Sequence, residues 1–239
     1  MADMTSRTTQ ILSDNLQRIR DRIDAACARA GRSSHEVTLV AVTKYAELEW
    51  VQALVDLGLT DLGESRPQQM VSRAAELPPH IRWHLIGHLQ RNKVEAILPV
   101  ASRIHSVDSV RLIEAIQKAA RKLQLRPRLL LEVNVSGEQS KDGFDPDELL
   151  SAWPMIQTLE DINVDGLMTM APLNTDLEGA RPVFQALQQF RNQLVEASNG
   201  HASLPDLSMG MSGDFEIGIE AGATLIRIGS SLFEGLSPG

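Results

Sequence analysis

Apolar residues along the chain switch between two periods, and the switching outlines a fold. Leu12, Leu16, Ile19, Ile23, Ala26 and Ala30 recur at spacings of three and four, which places them on one helical face with Gly31 as the stop. The run VTLVAVT at 37–43 has no polar alternation and is rich in β-branched residues, as in a strand buried on both faces of a parallel sheet. Comparable short runs occupy 61–64, 83–87, 104–107, 129–135, 164–170, 207–211 and 224–229. Helical patterns lie between most of them, at 47–57, 68–77, 110–123, 146–159 and 182–197, the fourth opening on Asp145 as N-cap and Pro146 at the first helical position. The segment 91–99 is too short to assign.

Eight strands alternating with helices predict an α/β fold, a single (β/α)8 TIM-type barrel with an additional N-terminal helix. Closure buries every strand and removes both sheet edges, which an open doubly wound sheet does not. No linker, repeat or low-complexity tract interrupts the alternation, so residues 1–239 are expected to form one domain, with 1–31 carrying the first helix packed on the barrel.

Composition narrows the function classes. Acidic residues outnumber basic ones, 31 to 23, for a net charge of -8, and no Lys/Arg block offers a nucleic-acid footprint. The single cysteine, Cys27, supplies neither an intrachain disulfide nor a multi-cysteine metal site. No segment resembles a signal peptide or membrane span, so a cytoplasmic location is expected. His80, His84 and His88 recur every four residues, but along a strand that spacing separates neighbours by about 13 Å, too far for metal bonds of about 2 Å. His84 is expected near the barrel mouth instead, or as a packed histidine. Hydrolase-elbow, dinucleotide and nucleotide-triphosphate motifs are missing from the sequence.

Three features break the apolar pattern. Of the five lysines, Lys93, Lys118, Lys122 and Lys141 lie in polar surroundings, whereas Lys44 terminates the apolar strand VTLVAVTK. At the rim of a hydrophobic interior desolvation disfavours the charged form, and a neutral amine attacks carbonyls; a lysine that merely snorkels to solvent is the plain alternative. Arg227 interrupts a second apolar strand, TLIRIG, where its permanent charge needs a partner. First and last strands are neighbours in a closed barrel, so Lys44 and Arg227 would meet at one mouth. The turns SMGMSGD at 208–214 and IGSS at 228–231 are rich in small residues and follow strands seven and eight, where barrels frequently bind phosphate. The implied ligand has a carbonyl, a polar ring edge and a phosphate.

Pyridoxal 5'-phosphate carries all three, and the chain resembles the family of pyridoxal phosphate homeostasis proteins, whose barrel is similar to the N-terminal domain of alanine racemase. The matching strings are AVTK with Lys44, LGES with Glu64, WHLIGHLQRNK from Trp83, EVNVSGEQSKDGF from Glu132, GLMTMAP from Gly166, SMGMSGD and IRIGSSLFEG. The resemblance implies Lys44 as the Schiff-base lysine, Arg227 facing the pyridine nitrogen, and Met211, Ser212, Gly229 and Ser230 around the phosphate. Ser65, His84, Asn134 and Met168 also fall within or beside the matching motifs; the family usually has asparagine at the place of Ser65.

A guanidinium facing the ring nitrogen keeps it unprotonated, which weakens the ring as an electron sink. In similar racemases the second base is a tyrosine supplied with the help of a further domain. Here the only tyrosine is Tyr45, and 239 residues leave no room for that domain. The expected role is therefore cofactor buffering or delivery, with apo enzymes as recipients and a monomeric state, rather than amino-acid turnover. A small fold-type III racemase or decarboxylase is the alternative, and a cofactor-free enzyme acting on a sugar phosphate is a third.

Overall fold

Each short apolar run becomes a strand: β1 (Thr38–Val42), β2 (Asp61–Glu64), β3 (Arg82–Leu85), β4 (Ala101–Val107), β5 (Arg128–Glu132), β6 (Asn163–Met168), β7 (Asp206–Met211) and β8 (Leu225–Ile228). In the computed structural model, which describes residues 2–138, 142–172 and 177–237, the strands pair in chain order, all parallel. The barrel closes by β8 pairing with β1, with Val40 beside Arg227 in the register. Lys141 lies outside the described residues.

The helices are α1 (Ala2–Arg29), α2 (Leu48–Asp56), α3 (Pro67–Glu76), α4 (Val94–Ile97), α5 (Val110–Leu123), α6 (Pro146–Ile156), α7 (Leu177–Ala197) and α8 (Phe215–Glu220). Helices α2 to α8 each join consecutive strands. Helix α1 packs between α8 and α2, where a helix after β8 would lie, so it completes the ring rather than adding to it. Its buried stripe of Leu12, Leu16, Ile19, Ile23 and Ala26 drives this docking. Polar contacts orient it: Asn15 donates to the carbonyls of Leu232 and Glu234, both at 2.9 Å, and Arg22 holds Glu216 by two bonds while lying over the Phe215 ring.

Several boundaries differ from the sequence expectation for physical reasons. Strand β4 begins at Ala101, not 104, because Arg103 interrupts the apolar pattern; its inward guanidinium bonds Asp206 at 2.8 Å on the barrel floor. Strands β1, β5 and β6 end before 43, 135 and 170, leaving those residues to the mouth loops. Helix α7 starts at Leu177 and runs through Pro182. The short segment after β3 is a 3₁₀ turn, Arg91–Lys93, followed by α4. Among the described residues no helix is long and apolar enough to cross a membrane.

Alternation along the strands fills the interior in layers. Asp61, Arg103 and Asp206 lie towards the floor. Above them come the apolar cluster Val40, Leu130, Met168 and Leu225 and, in the same registers, the polar side chains of His84, His105 and Ser208. Gly63 keeps this layer open, since a Cβ there would come within 3.0 Å of Val40 Cγ1. Two residues further along their strands, Val42, Ile86, Met170 and Arg227 line the mouth.

Candidate functional site

At the mouth, where strand C-termini converge, lies a cavity of about 520 Å³. Lys44, Ser65, Met211, Ser212, Arg227, Gly229 and Ser230 all line it, so residues from the ends of β1, β2, β7 and β8 meet in one place. The three other sequence candidates do not. His84 sits one layer below the mouth, 4% exposed, because the inward position at the rim is Ile86 two residues on. Met168 belongs to the apolar cluster beneath, and Met170, two residues on, lines the cavity. Asn134 organises its own loop, donating to the Glu138 carbonyl at 2.8 Å and accepting from Ser136. His80 precedes β3, His88 follows it and bonds Asp108, and His84 points inward, so the three do not converge.

Lys44 follows β1 in a turn closed by the Ala46 amide donating to the Thr43 carbonyl. The turn is held from below by a buried ion pair that the sequence reading missed. Arg73, on the inward face of α3, donates to the Thr43 and Ala46 carbonyls on either side of Lys44 and to Glu64 Oε1. Thr43 Oγ1 donates to the same carboxylate oxygen at 2.6 Å. Glu64 is fully buried; burial raises its carboxyl above the ordinary value against the opposing pull of Thr43 and Arg73. Gln69 adds a bond to the Lys44 carbonyl. The Lys44 side chain is only half-buried, with Nζ 5.1 Å from the centroid of the exposed Tyr45 ring.

The two small-residue turns form one cradle. Strand β7 shifts register between Ser208 and Met211, with Gly210 at φ 95° and no room for a Cβ, which would fall 2.8 Å from Phe215 Cα. The kink carries Ser212 towards the last strand, where its Oγ accepts from the Gly229 and Ser231 amides. Ser212, Gly229 and Ser230 thus line one part of the cavity together, without a lysine or arginine cluster.

Arg227 is fixed on three sides, donating to Ser208 O at 2.9 Å, Ser208 Oγ at 2.6 Å and Thr169 O at 3.0 Å. Burial lowers its pKa to about 10, with Glu132 and Asp214 acting the other way, so it stays a cation at neutral pH. The apolar wall includes Trp50 and Phe233, stacked at 6.1 Å, neither of which the sequence marked.

Glu132, 5% exposed on β5, was also unmarked as a titrating group. Burial and the nearby Asp108 raise its carboxyl to about 7, against the attraction of Arg227. Since the folded value lies above the unfolded 4.5, its contribution to stability is present below pH 4.5 and lost as pH rises through 7. Glu132→Gln, which keeps the neutral shape, should therefore stabilise the cofactor-free protein increasingly with pH, by about 2–3 kcal/mol more at pH 8 than at pH 5. Urea unfolding at the two pH values checks this; an equal effect at both would contradict the assignment.

An amine, a charged guanidinium and a serine-glycine cradle on one largely apolar cavity could hold the aldehyde, ring edge and phosphate of pyridoxal phosphate. Residues 15–238 match the alanine racemase N-terminal domain family. The pyridoxal phosphate homeostasis protein of Aquifex aeolicus is 39% identical over 221 residues, covering 92% of this chain and 96% of that one. The Homo sapiens protein of the same name is 33% identical over 231 residues, covering 91% and 84%. PipY of Synechococcus elongatus, solved with PLP bound, superposes with a TM-score of 0.82 at 30% identity, covering 93% of this chain and 99% of PipY. Alanine racemase of Clostridium difficile shares the fold, with a TM-score of 0.72 at 14% identity, and this chain spans 58% of it.

Proposed function

Because the chain belongs to the family of pyridoxal phosphate homeostasis proteins, built on the barrel of the alanine racemase N-terminal domain, we propose that it binds pyridoxal 5'-phosphate reversibly and buffers or delivers it within the cytoplasm. The observation that carries this reading is the convergence of Lys44, Arg227 and the Ser212–Gly229 cradle on one cavity. Bound pyridoxal phosphate supplies an aldehyde that condenses reversibly with an amine, losing water, and a pyridine ring that can accept electron density.

Lys44 offers the amine from a turn that Arg73 and Glu64 hold in place. The Ser212 and Ser230 hydroxyls would take the phosphate, Gly229, whose amide donates to Ser212 Oγ, would lie beside it, and Met211 would close that side. Arg227 offers N–H to the ring nitrogen; as a permanent donor it leaves that nitrogen unprotonated, which poorly supports carbanion formation. Trp50, Met170 and Phe233 shield the ring from water. Ser65 lines the same cavity, but its shorter hydroxyl reaches less far than the family's usual amide. We read residues 1–239 as one functional unit, a non-catalytic carrier acting as a monomer, with apo forms of pyridoxal phosphate enzymes as recipients.

Transfer kinetics test the proposal. Cofactor-loaded protein mixed with an apo-aminotransferase should restore its activity, with loss of the carrier's own visible absorbance in step. An apo-enzyme that remains inactive while the carrier keeps its absorbance would refute delivery. Loss of optical rotation from L-alanine, or carbon dioxide release from amino acids, would instead identify turnover.

A further inference from the structure

Below the cofactor cavity, four polar side chains distant in sequence make one continuous line across the barrel interior. Arg227 Nη1 donates to Ser208 Oγ at 2.6 Å, and Ser208 Oγ lies 2.8 Å from His105 Nδ1. His105 Nε2 lies 2.9 Å from His84 Nδ1, and His84 Nε2 lies 3.0 Å from Asp61 Oδ1. The two rings meet edge to face, with centroids 5.1 Å apart. His105 and Ser208 are fully buried.

Donor and acceptor roles in this line follow from its ends. Arginine can only donate, so the Ser208 hydroxyl accepts from it and spends its own proton on His105 Nδ1. His105 must then carry its proton on Nε2 and donate to His84 Nδ1. His84 in turn carries its proton on Nε2 and donates to Asp61, whose carboxylate only accepts. The assignment is the same read from either end. Both rings are neutral, and every bond points from the cation at the mouth to the anion at the floor.

We propose that Ser208, His105, His84 and Asp61 are positioning residues, a one-directional hydrogen-bond relay that holds Arg227 as a fixed donor to the cofactor ring. The proposal rests on the cofactor reading above and specifies how the ring-nitrogen contact is maintained. The relay replaces apolar packing on one side of the interior, which costs desolvation and yields directionality, since Ser208, His105 and His84 each bridge two neighbours and Asp61 ends the line, held in turn by Arg82. Removing a member leaves a buried donor or acceptor unmade on both sides of the gap.

The surroundings set its pH range. His105 faces His84, Arg227 and Arg103, and burial with these neighbours holds its pKa well below 6.5. His84 faces Asp61, Arg103 and Arg82; burial lowers its pKa despite Asp61. Asp61 is opposed by burial but held at about 2 by His84 and Arg82. Glu132 and Asp214 face Arg227. The histidines therefore stay neutral at pH 7. A proton forced onto His84 would put N–H against the His105 N–H, and the line would have to reverse into Ser208, whose hydroxyl already accepts from Arg227. Protonation of His84 would thus disturb the line that holds Arg227, and cofactor release should accelerate in acid.

The test uses full-length protein loaded with pyridoxal phosphate, with release followed by dilution into a phosphate-free scavenger and the bound-cofactor spectrum recorded beforehand. Ser208→Ala, a small change that does not depend on refilling a cavity, and His105→Leu should each speed release about tenfold at pH 8 and shift the spectrum. The double variant should be no faster than the single ones, because both break the same line. His105→Gln can accept from Ser208 and donate to His84, so it should restore the spectrum and slow release at pH 8. Wild-type spectrum and release in Ser208→Ala, or additive effects in the double variant, would overturn the relay. Wild-type protein that takes up no cofactor would overturn the binding reading itself, and the two failures are thereby distinct.

Discussion

Lys44→Ala is expected to remove the visible absorbance of the cofactor-loaded protein and to weaken retention about a hundredfold, roughly 2.7 kcal/mol. Binding should weaken rather than vanish, because Ser212, Gly229 and Arg227 still address the phosphate and ring. The spectrum is decisive because a carbon–nitrogen double bond conjugated with the ring absorbs at longer wavelength than the free aldehyde. Among the described residues the other lysines are Lys93, beside a neighbouring polar cavity, and Lys118 and Lys122 on α5, of which Lys122 is bonded to Glu95. None of these three lines the cavity of Lys44. An undiminished band in Lys44→Ala would therefore refute the assigned amine, and mass spectrometry after borohydride reduction would identify the replacement.

Arg73→Met should be the most damaging substitution away from the cavity. It removes the donors to Thr43 and Ala46 and leaves Glu64, fully buried, without its cation. Breaking one side of a buried pair costs about 3–5 kcal/mol, whereas replacing both sides with apolar groups is often neutral. Arg73→Met/Glu64→Leu should accordingly recover much of the stability lost by Arg73→Met. Cofactor retention should stay impaired in both, because the Lys44 turn has lost its bracket. Denaturant midpoints check the first statement and release rates the second; a loss below about 1 kcal/mol in Arg73→Met would contradict the role given to the pair.

The residues readable from sequence were those that violated their local pattern. Lys44 and Arg227 are charges at the ends of, or inside, apolar strands, and the two phosphate turns are small-residue segments after the last two strands. Each anomaly is visible within about ten residues. Arg73 looked like an ordinary helix cation, since its partners lie 9 to 30 positions away. His105 and Ser208, 103 positions apart, meet only because β4 and β7 face each other across the closed interior. His84 and Met168, for which interior packing stands as an alternative in the sequence, lie one layer below the rim; alternation sets the face of a strand, while the position along the barrel axis depends on register.

Sequence by itself determined the period of every strand and of the longer helices, hence the alternation of strands and helices, the barrel, and the two anomalous cations that point to an aldehyde and a ring. These are local properties, because hydrophobic period and turn chemistry are written over a few consecutive residues. Tertiary structure alone decided that α1 completes the helix ring, that a buried ion pair brackets Lys44, and that Arg227 stands at one end of a polar line reaching the barrel floor. Those depend on strand register and barrel closure, which bring together side chains that no short window of sequence contains.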